Sequence, residues 1–260
     1  MPNDSLLSTL TVTRVGSGPA LLLAHGAGGC VALNFSQLMD EMAGERTLIG
    51  VDYPGSGGSP LTANSYRVDD LADAIVDAGR AAGFDRFPIL GLSLGSAVAI
   101  TAALRHPETV SALVLTVGFA HADPQLRLVV DVWRYLAAHD RDILARFLTT
   151  VSSPSAFDET GNLDDIVANV RASIPVGSPQ QAALAAEIDL RDRLAEVVIP
   201  TLVVAAGGDR IVQPSSTRAL AAGIPGSVLM EYPDAGHIFT PDEGRTWISD
   251  IRTFLLAHNL

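Results

Sequence analysis

Apolar residues in this chain follow two rhythms: short continuous runs, and longer stretches in which they recur every three or four positions. The runs Ala20–Ala24, Thr47–Val51, Phe87–Leu90, Ala112–Val117, Ile199–Ala206 and Ser227–Tyr232 have strand length and predict buried strands. Leu6 to Val15 reads as a further strand, because Thr9, Thr11 and Thr13 alternate with Leu10 and Val12. Gly16-Ser17-Gly18-Pro19 then turns it into the run that follows. Helical spacing fills 31–44, 68–82 and 96–104, so strands and helices alternate as in an open α/β sheet.

After Val117 the rhythm changes. Leu126, Val129, Val130, Trp133 and Leu136 keep helical spacing, as do Ile143, Leu144, Phe147 and Leu148, then Ile166, Val167 and Val170. Pro154, Pro175, Gly177 and Pro179 break the helices of residues 121–195, and sheet alternation resumes at Val198. No repeat, low-complexity tract or interdomain linker interrupts the 260 residues, a length that suits one core.

Candidate chemistry collects where the apolar runs stop. Gly91-Leu92-Ser93-Leu94-Gly95 joins the run at 87–90 to a helix of small residues, Ser96 to Leu104. Glycines on either side let strand and helix approach closely around a sharp turn, whose central Ser93 stands at a helix N-terminus that favours an anion. A serine hydroxyl needs a base, and the base needs an orienting acid. Asp209 follows the run ending at Ala206, and His237 follows the run ending at Tyr232. Both stand beyond the carboxyl ends of predicted strands, where open α/β sheets gather ligands.

With Ser93, Asp209 and His237 in that order, the chain resembles the α/β-hydrolase superfamily over nearly its whole length. The resemblance implies a mostly parallel central sheet flanked by helices, with a lid of about four helices inserted after the sixth strand of the family fold. The core would be residues 1–120 and 196–260, and the lid residues 121–195. Ser93 would be the nucleophile, His237 the base and Asp209 the acid that orients it. Leu21 to Gly29 is similar to the family's strand and His-Gly loop, so the backbone N–H groups of Ala27 and Leu94 would form an oxyanion hole. Asp52-Tyr53-Pro54-Gly55-Ser56-Gly57-Gly58-Ser59 is similar to a second family loop and has a structural role. Gly26, Phe119, Trp133 and Phe147 are the expected substrate-binding residues; Tyr135 and Phe157 are further large side chains of the lid. The lid is expected to be held mainly by apolar contacts and to open more readily than the sheet.

Three competing assignments concern the same residues. Gly26-Ala27-Gly28 with Asp52 imitates a dinucleotide-binding opening, but Val31 stands where a third small residue would pack. Asp234 is a second candidate for the acid, although three residues of tight loop before His237 suit it poorly. Gly118 and Phe119, at another position the family uses for the acid, cannot serve. His25 reads as a loop brace, His106 as a helix-end cap, Cys30 as a packing residue, and His121, His139 and His258 as surface or packing residues.

Charge narrows the classes further. Asp and Glu number 29 against 17 basic residues, a net −12, which argues against nucleic acid and anionic membranes as partners. Every basic residue is arginine, so Schiff-base chemistry and a P-loop lysine are excluded. No Cys/His cluster offers a metal site, and the single cysteine cannot form an internal disulfide. Met1 to Ser5 lacks the basic and apolar regions of an export signal, and no run is long enough for a bilayer, so a cytoplasmic location is expected. The expected activity is cofactor-independent cleavage of an ester or thioester of a small to medium, largely apolar acyl compound. Carbon–carbon hydrolysis, elimination or cyclisation with the same three residues, and a hydrolase-like ligand receptor, stay open. So does the oligomeric state.

Overall fold

A computed structural model describes residues 6–152 and 162–260. Its centre is a seven-stranded sheet, in chain order β1 (Val12–Gly16), β2 (Ala20–Ala24), β3 (Thr47–Val51), β4 (Phe87–Leu92), β5 (Val110–Thr116), β6 (Thr201–Ala206) and β7 (Val228–Tyr232). Across the sheet the order is β1-β3-β2-β4-β5-β6-β7, with β1 antiparallel to β3 and every other pairing parallel. Strands β2 to β6 are buried except at Leu92, the last residue of β4, which is why they appear in the sequence as mostly apolar runs.

Successive residues of each strand point to opposite faces. Leu21, Leu23, Leu48, Leu90, Val114 and Val204 pack against α1 (Val31–Met42) and the carboxyl-terminal helix, Pro241–Ala257. Leu22, Ala24, Ile49, Ile89 and Leu115 face α2 (Val68–Ala81) and α3 (Leu94–Arg105). The chain leaves β2 toward β3 on one side and returns to place β4 on the other. The carboxyl ends of β2 and β4 therefore flank the topological switch, where a crevice opens.

Between β5 and β6, the fifth and sixth strands of this chain, the described residues form four α-helices: α4 (Pro124–His139), α5 (Arg141–Ser152), α6 (Leu163–Ser173) and α7 (Ser178–Glu187). A 3-10 helix, Arg191–Glu196, leads back to β6, after which come α8 (Pro214–Gly223) and α9, the carboxyl-terminal helix. Pro154 and Phe157 lie outside the described residues. Apolar faces hold the insertion together: Leu126, Val129, Val130 and Trp133 are buried on α4 at the spacing of one helix stripe. These residues join the cluster of buried side chains that includes Leu115 and Phe119 of the core, and hydrogen bonds add to that apolar attachment. Gly177 N–H donates to the Gly55 carbonyl at 3.0 Å, Leu190 N–H to Ala120 at 2.7 Å, and Ile238 N–H to Ser152 at 3.0 Å. The buried Gln181 side chain adds three hydrogen bonds to two core loops.

One sequence expectation fails at the amino-terminal end. Leu6–Thr9 is a 3-10 turn, and the strand begins only at Val12. Local bonds win there: Leu10 N–H donates to the Leu7 carbonyl, and the Thr9 hydroxyl to Leu6. Among the described residues no helix is long and apolar enough to cross a membrane.

The closest backbone approach in the fold generates a test. A Cβ added at Gly95 would lie 1.9 Å from the Ala24 carbonyl oxygen and 2.8 Å from that of His25. Gly95→Ala should destabilise the protein by about 3 kcal/mol or more, since rigid backbone cannot yield as a side chain does. Urea denaturation measures it, and a loss below about 1 kcal/mol would show that β2 and α3 can separate cheaply.

Candidate active site

Ser93 sits between β4 and α3 with φ +55° and ψ −119°, a region that side chains seldom occupy. Such a residue costs on the order of 1–3 kcal/mol and persists only where its surroundings hold it. Here they do. Ser93 N–H donates to the Thr116 carbonyl at 2.9 Å, and the Ser96 hydroxyl donates to the Gly91 carbonyl at 2.9 Å. A Cβ at Gly91 would meet the Gly95 carbonyl oxygen at 2.3 Å, so the turn closes only with glycine. Next to it, Val117 follows β5 in a second left-handed conformation, φ +45°, anchored through its N–H to the Val204 carbonyl.

His237 lies in the loop after β7, nearly buried, and its Nδ1 is 2.7 Å from Asp209 Oδ2. Asp209 follows β6; its Oδ1 accepts the N–H groups of Ile211 at 2.8 Å and Val212 at 3.0 Å. The carboxylate is thus fixed by two backbone donors and leaves one oxygen for the ring. Asp234, the other candidate acid, is exposed and makes no bond to His237. A donating Nδ1–H leaves His237 Nε2 as the basic nitrogen.

The loop after β2 is secured amide by amide. Gly26 N–H donates to Asn34 Oδ1 at 2.9 Å, Gly28 N–H to Gln181 Oε1 at 2.9 Å, and Gly29 N–H to the Gly26 carbonyl at 3.2 Å. The Ala27 N–H has no acceptor among the described residues. Leu94 opens α3, so its N–H is one of those that the first turn leaves without an intrahelical partner. Below the loop, the fully buried His25 accepts the Tyr53 N–H at Nε2, 2.9 Å, and pairs Nδ1 with the Gly26 carbonyl at 2.8 Å. Its two nitrogens are engaged in bracing. Asp52 is structural as well, taking the N–H groups of Val31 and Gly58.

Ser93 and His237 line one cavity of about 470 Å³. Gly26, Ala27, Phe119 and Trp133 line it too, with Leu126, Val129, Val130, Ile174, Ala182 and Ile211. Among the described residues of its wall there is no Asp, Glu, Lys or Arg. Leu94 is fully buried and not part of the wall, so it can offer only its amide.

Phe147 does not belong to this cavity, contrary to the sequence expectation. Leu148 and Ser152, four residues apart on α5, reach the cavity; Phe147 and Val151 point about 100° away, into a shallow depression with Leu128 and Val132. Cys30 caps α1, its Sγ accepting the Leu33 N–H at 3.4 Å, rather than simply packing. His106 is the C-cap residue of α3, its N–H donating to the Ala102 carbonyl at 2.8 Å, and its ring meets the Asp73 carboxylate at 2.7 Å. Sequence reasoning missed Asn34 and Gln181. An asparagine in the first turn of α1 was a usable signal; a glutamine on an interior turn of α7 carries none.

Residues 19–243 match the family model described as the alpha/beta hydrolase fold. A "Pyrrolizixenacetamide deacetylase" of Xenorhabdus hominickii is 30% identical over 251 residues, covering 94% of each chain. A "Pimeloyl-[acyl-carrier protein] methyl ester esterase" of Neisseria meningitidis is 31% identical over 228 residues, covering 83% of this chain and 85% of that one. An esterase of Exiguobacterium antarcticum has the same fold, with a TM-score of 0.83 at 22% identity over 95% of each chain.

Burial pushes the His25 pKa down from 6.5 to about 4, against smaller raising effects from the Gly26 carbonyl and Asp52. The neutral ring fits the folded loop, whereas a second ring proton would face the Tyr53 N–H. The unfolded chain binds the extra proton first, so this contribution to stability is complete above pH 6.5 and lost as pH falls toward 4. The difference amounts to about 3 kcal/mol. Urea titrations from pH 8 to 4 should show this decline. His25→Asn should be less stable at pH 8 but with a flatter decline; an undiminished slope would place the acid lability elsewhere.

Proposed function

Since the chain belongs to the α/β-hydrolase family, we propose that it is a cofactor-independent serine hydrolase of an uncharged, largely apolar carboxylic ester or thioester. One observation carries the reading: a strained Ser93 borders the same cavity as His237, whose ring is paired with the buried Asp209. In this mechanism Ser93 Oγ attacks the substrate carbonyl carbon while His237 Nε2 takes the hydroxyl proton. The Ala27 and Leu94 N–H groups receive the carbonyl oxygen as it becomes an oxyanion. His237 then gives its proton to the leaving group, the acyl–oxygen or acyl–sulfur bond breaks, and water repeats the sequence to free the acid. Asp209 holds the ring tautomer and stabilises the imidazolium.

The cavity wall supports the substrate class. About 470 Å³ lined mostly by apolar side chains accommodates a small to medium acyl compound. With no cationic side chain on the wall, a substrate carboxylate would lose water without gaining a partner. An amide is the second reading, favoured by the deacetylase relative, and its cleavage would use the same groups. A location in the cytoplasm and a small-molecule partner belong to this proposal as well.

Ser93→Ala should lose labelling by a fluorophosphonate and at least about 10³ of the hydrolytic rate, with little change in stability. Retained turnover by the purified variant would remove Ser93 from the nucleophile's role and turn attention to base-driven chemistry at His237. Asp209→Asn should cost roughly 10³–10⁴ in turnover, by analogy with triads in which the wrong tautomer is favoured, and Asp234→Asn far less. The reverse order would reassign the acid.

Substrate charge gives a separate measurement. Among p-nitrophenyl esters of equal chain length, a terminal carboxylate should lower kcat/KM by about 10²-fold relative to a methyl terminus, because the ion is desolvated without a partner. Equal rates for the two would refute the uncharged-substrate assignment.

A further inference from the structure

Among the described residues, Gln181 is the one residue of the helical insertion whose side chain bonds directly to the loop that carries the Ala27 amide. It is fully buried on α7. Its Oε1 accepts the Gly28 N–H at 2.9 Å; its Nε2 donates to the Pro54 carbonyl at 3.2 Å and to the Ser56 hydroxyl oxygen at 2.8 Å. The chemistry fixes the orientation of the carboxamide. Gly28 offers only a donor and Pro54 only an acceptor, so the amide cannot be turned over without losing both bonds.

These bonds bracket the peptide that matters. The N–H of Ala27 belongs to the peptide between Gly26 and Ala27, whose flanking peptides are each held through their own N–H. Asn34, from α1 of the core, holds the one before it. Gln181, from the insertion, holds the one after it. Two further contacts press on the same point: the Trp133 ring stands where a Cβ of Gly28, φ +73°, would lie, and Trp133 Nε1–H donates to the Ser178 hydroxyl one turn before Gln181.

We infer that Gln181 is a positioning residue, through which seating of the helical insertion aims the Ala27 N–H at the developing oxyanion. The inference rests on the serine-hydrolase reading. It makes the insertion part of the catalytic geometry rather than only a wall that selects substrate. Unseating α7 releases Gly28, and the oxyanion loses one aligned donor while Ser93, His237 and Asp209 keep their own supports.

The experiment uses the purified full-length chain with Gln181→Ala and Gln181→Glu, active sites being titrated with a fluorophosphonate. Per titrated site, Gln181→Ala should lower kcat for p-nitrophenyl acetate by about 10- to 100-fold, less than the ~10²–10³ typical of deleting a donor outright. KM should change little, because the bond aims at the transition state rather than the bound ester. The inhibition constant of butylboronic acid, whose tetrahedral adduct puts an oxygen in the oxyanion position, should rise by a factor similar to the fall in kcat. Gln181→Glu supplies a signature that mere packing would not produce. Its protonated carboxyl can accept from Gly28 and donate to Pro54, whereas the ionised form presents an oxygen to the Pro54 carbonyl. Its activity should therefore fall as pH rises, along an alkaline limb absent from the native profile. Native kcat per titrated site with an unchanged boronate constant would overturn the inference, even if fewer sites were folded. Should Gln181→Ala fail to fold, a Gln181→Glu profile parallel to the native one overturns it alone. Absence of labelling in the native protein would instead bring down the serine reading itself.

Discussion

The carbonyl oxygen of Ala24 occupies the space in which a side chain on Gly95 would begin, and this contact sets the distances at the candidate site. It brings the end of β2 against the first turn of α3, so the loop at 26–29 and the turn at Ser93 share one backbone seam. Gly91 meeting the Gly95 carbonyl closes the same seam from the strand side. Wider packing here would relax Ser93 from its left-handed conformation and carry the Ala27 amide away from it. The strain at Ser93 is thus held by backbone packed closely on both sides, with the Ser96 hydroxyl bonded across the turn.

A second constraint acts from outside the sheet. The helices of the insertion share one buried apolar cluster with the core, and to this are added bonds from backbone amides and one carboxamide. Hydrogen bonds are directional, and apolar contact is not. A helix seated by Gln181 and by Gly177 on Gly55 therefore has one register, whereas a purely greasy interface would permit sliding. Core and insertion meet at the loop that carries Ala27, supported by α1 on one side, α7 on the other and His25 beneath.

What the sequence revealed follows physical scale. Strands buried on both faces are apolar at most positions, so β2 to β6 were legible as runs, and the glycines around Ser93 announced their turn. Asp209 and His237 were legible because they follow strand ends. Contacts made across many residues were not. Gln181 and Gly28 are 153 positions apart, and nothing in helical spacing distinguishes a buried glutamine from a solvated one. Phe147 misled for a related reason: on a helix covered from both sides, periodicity identifies an apolar stripe without saying which neighbour it meets. Leu6–Thr9 misled because alternation over a few residues resembles a strand even where no partner strand exists.

The uncharged wall of the cavity matters most after the reaction is over. Under the proposed chemistry a neutral ester enters and a carboxylate forms, inside a protein that already carries twelve excess negative charges. No guanidinium on the wall waits to receive that anion, and the surrounding field opposes it. The pocket therefore holds its reactant and repels its product. Hydrolysis itself creates the charge that clears the site, so turnover needs no separate device for release, and accumulated acid competes poorly with fresh ester for the same space.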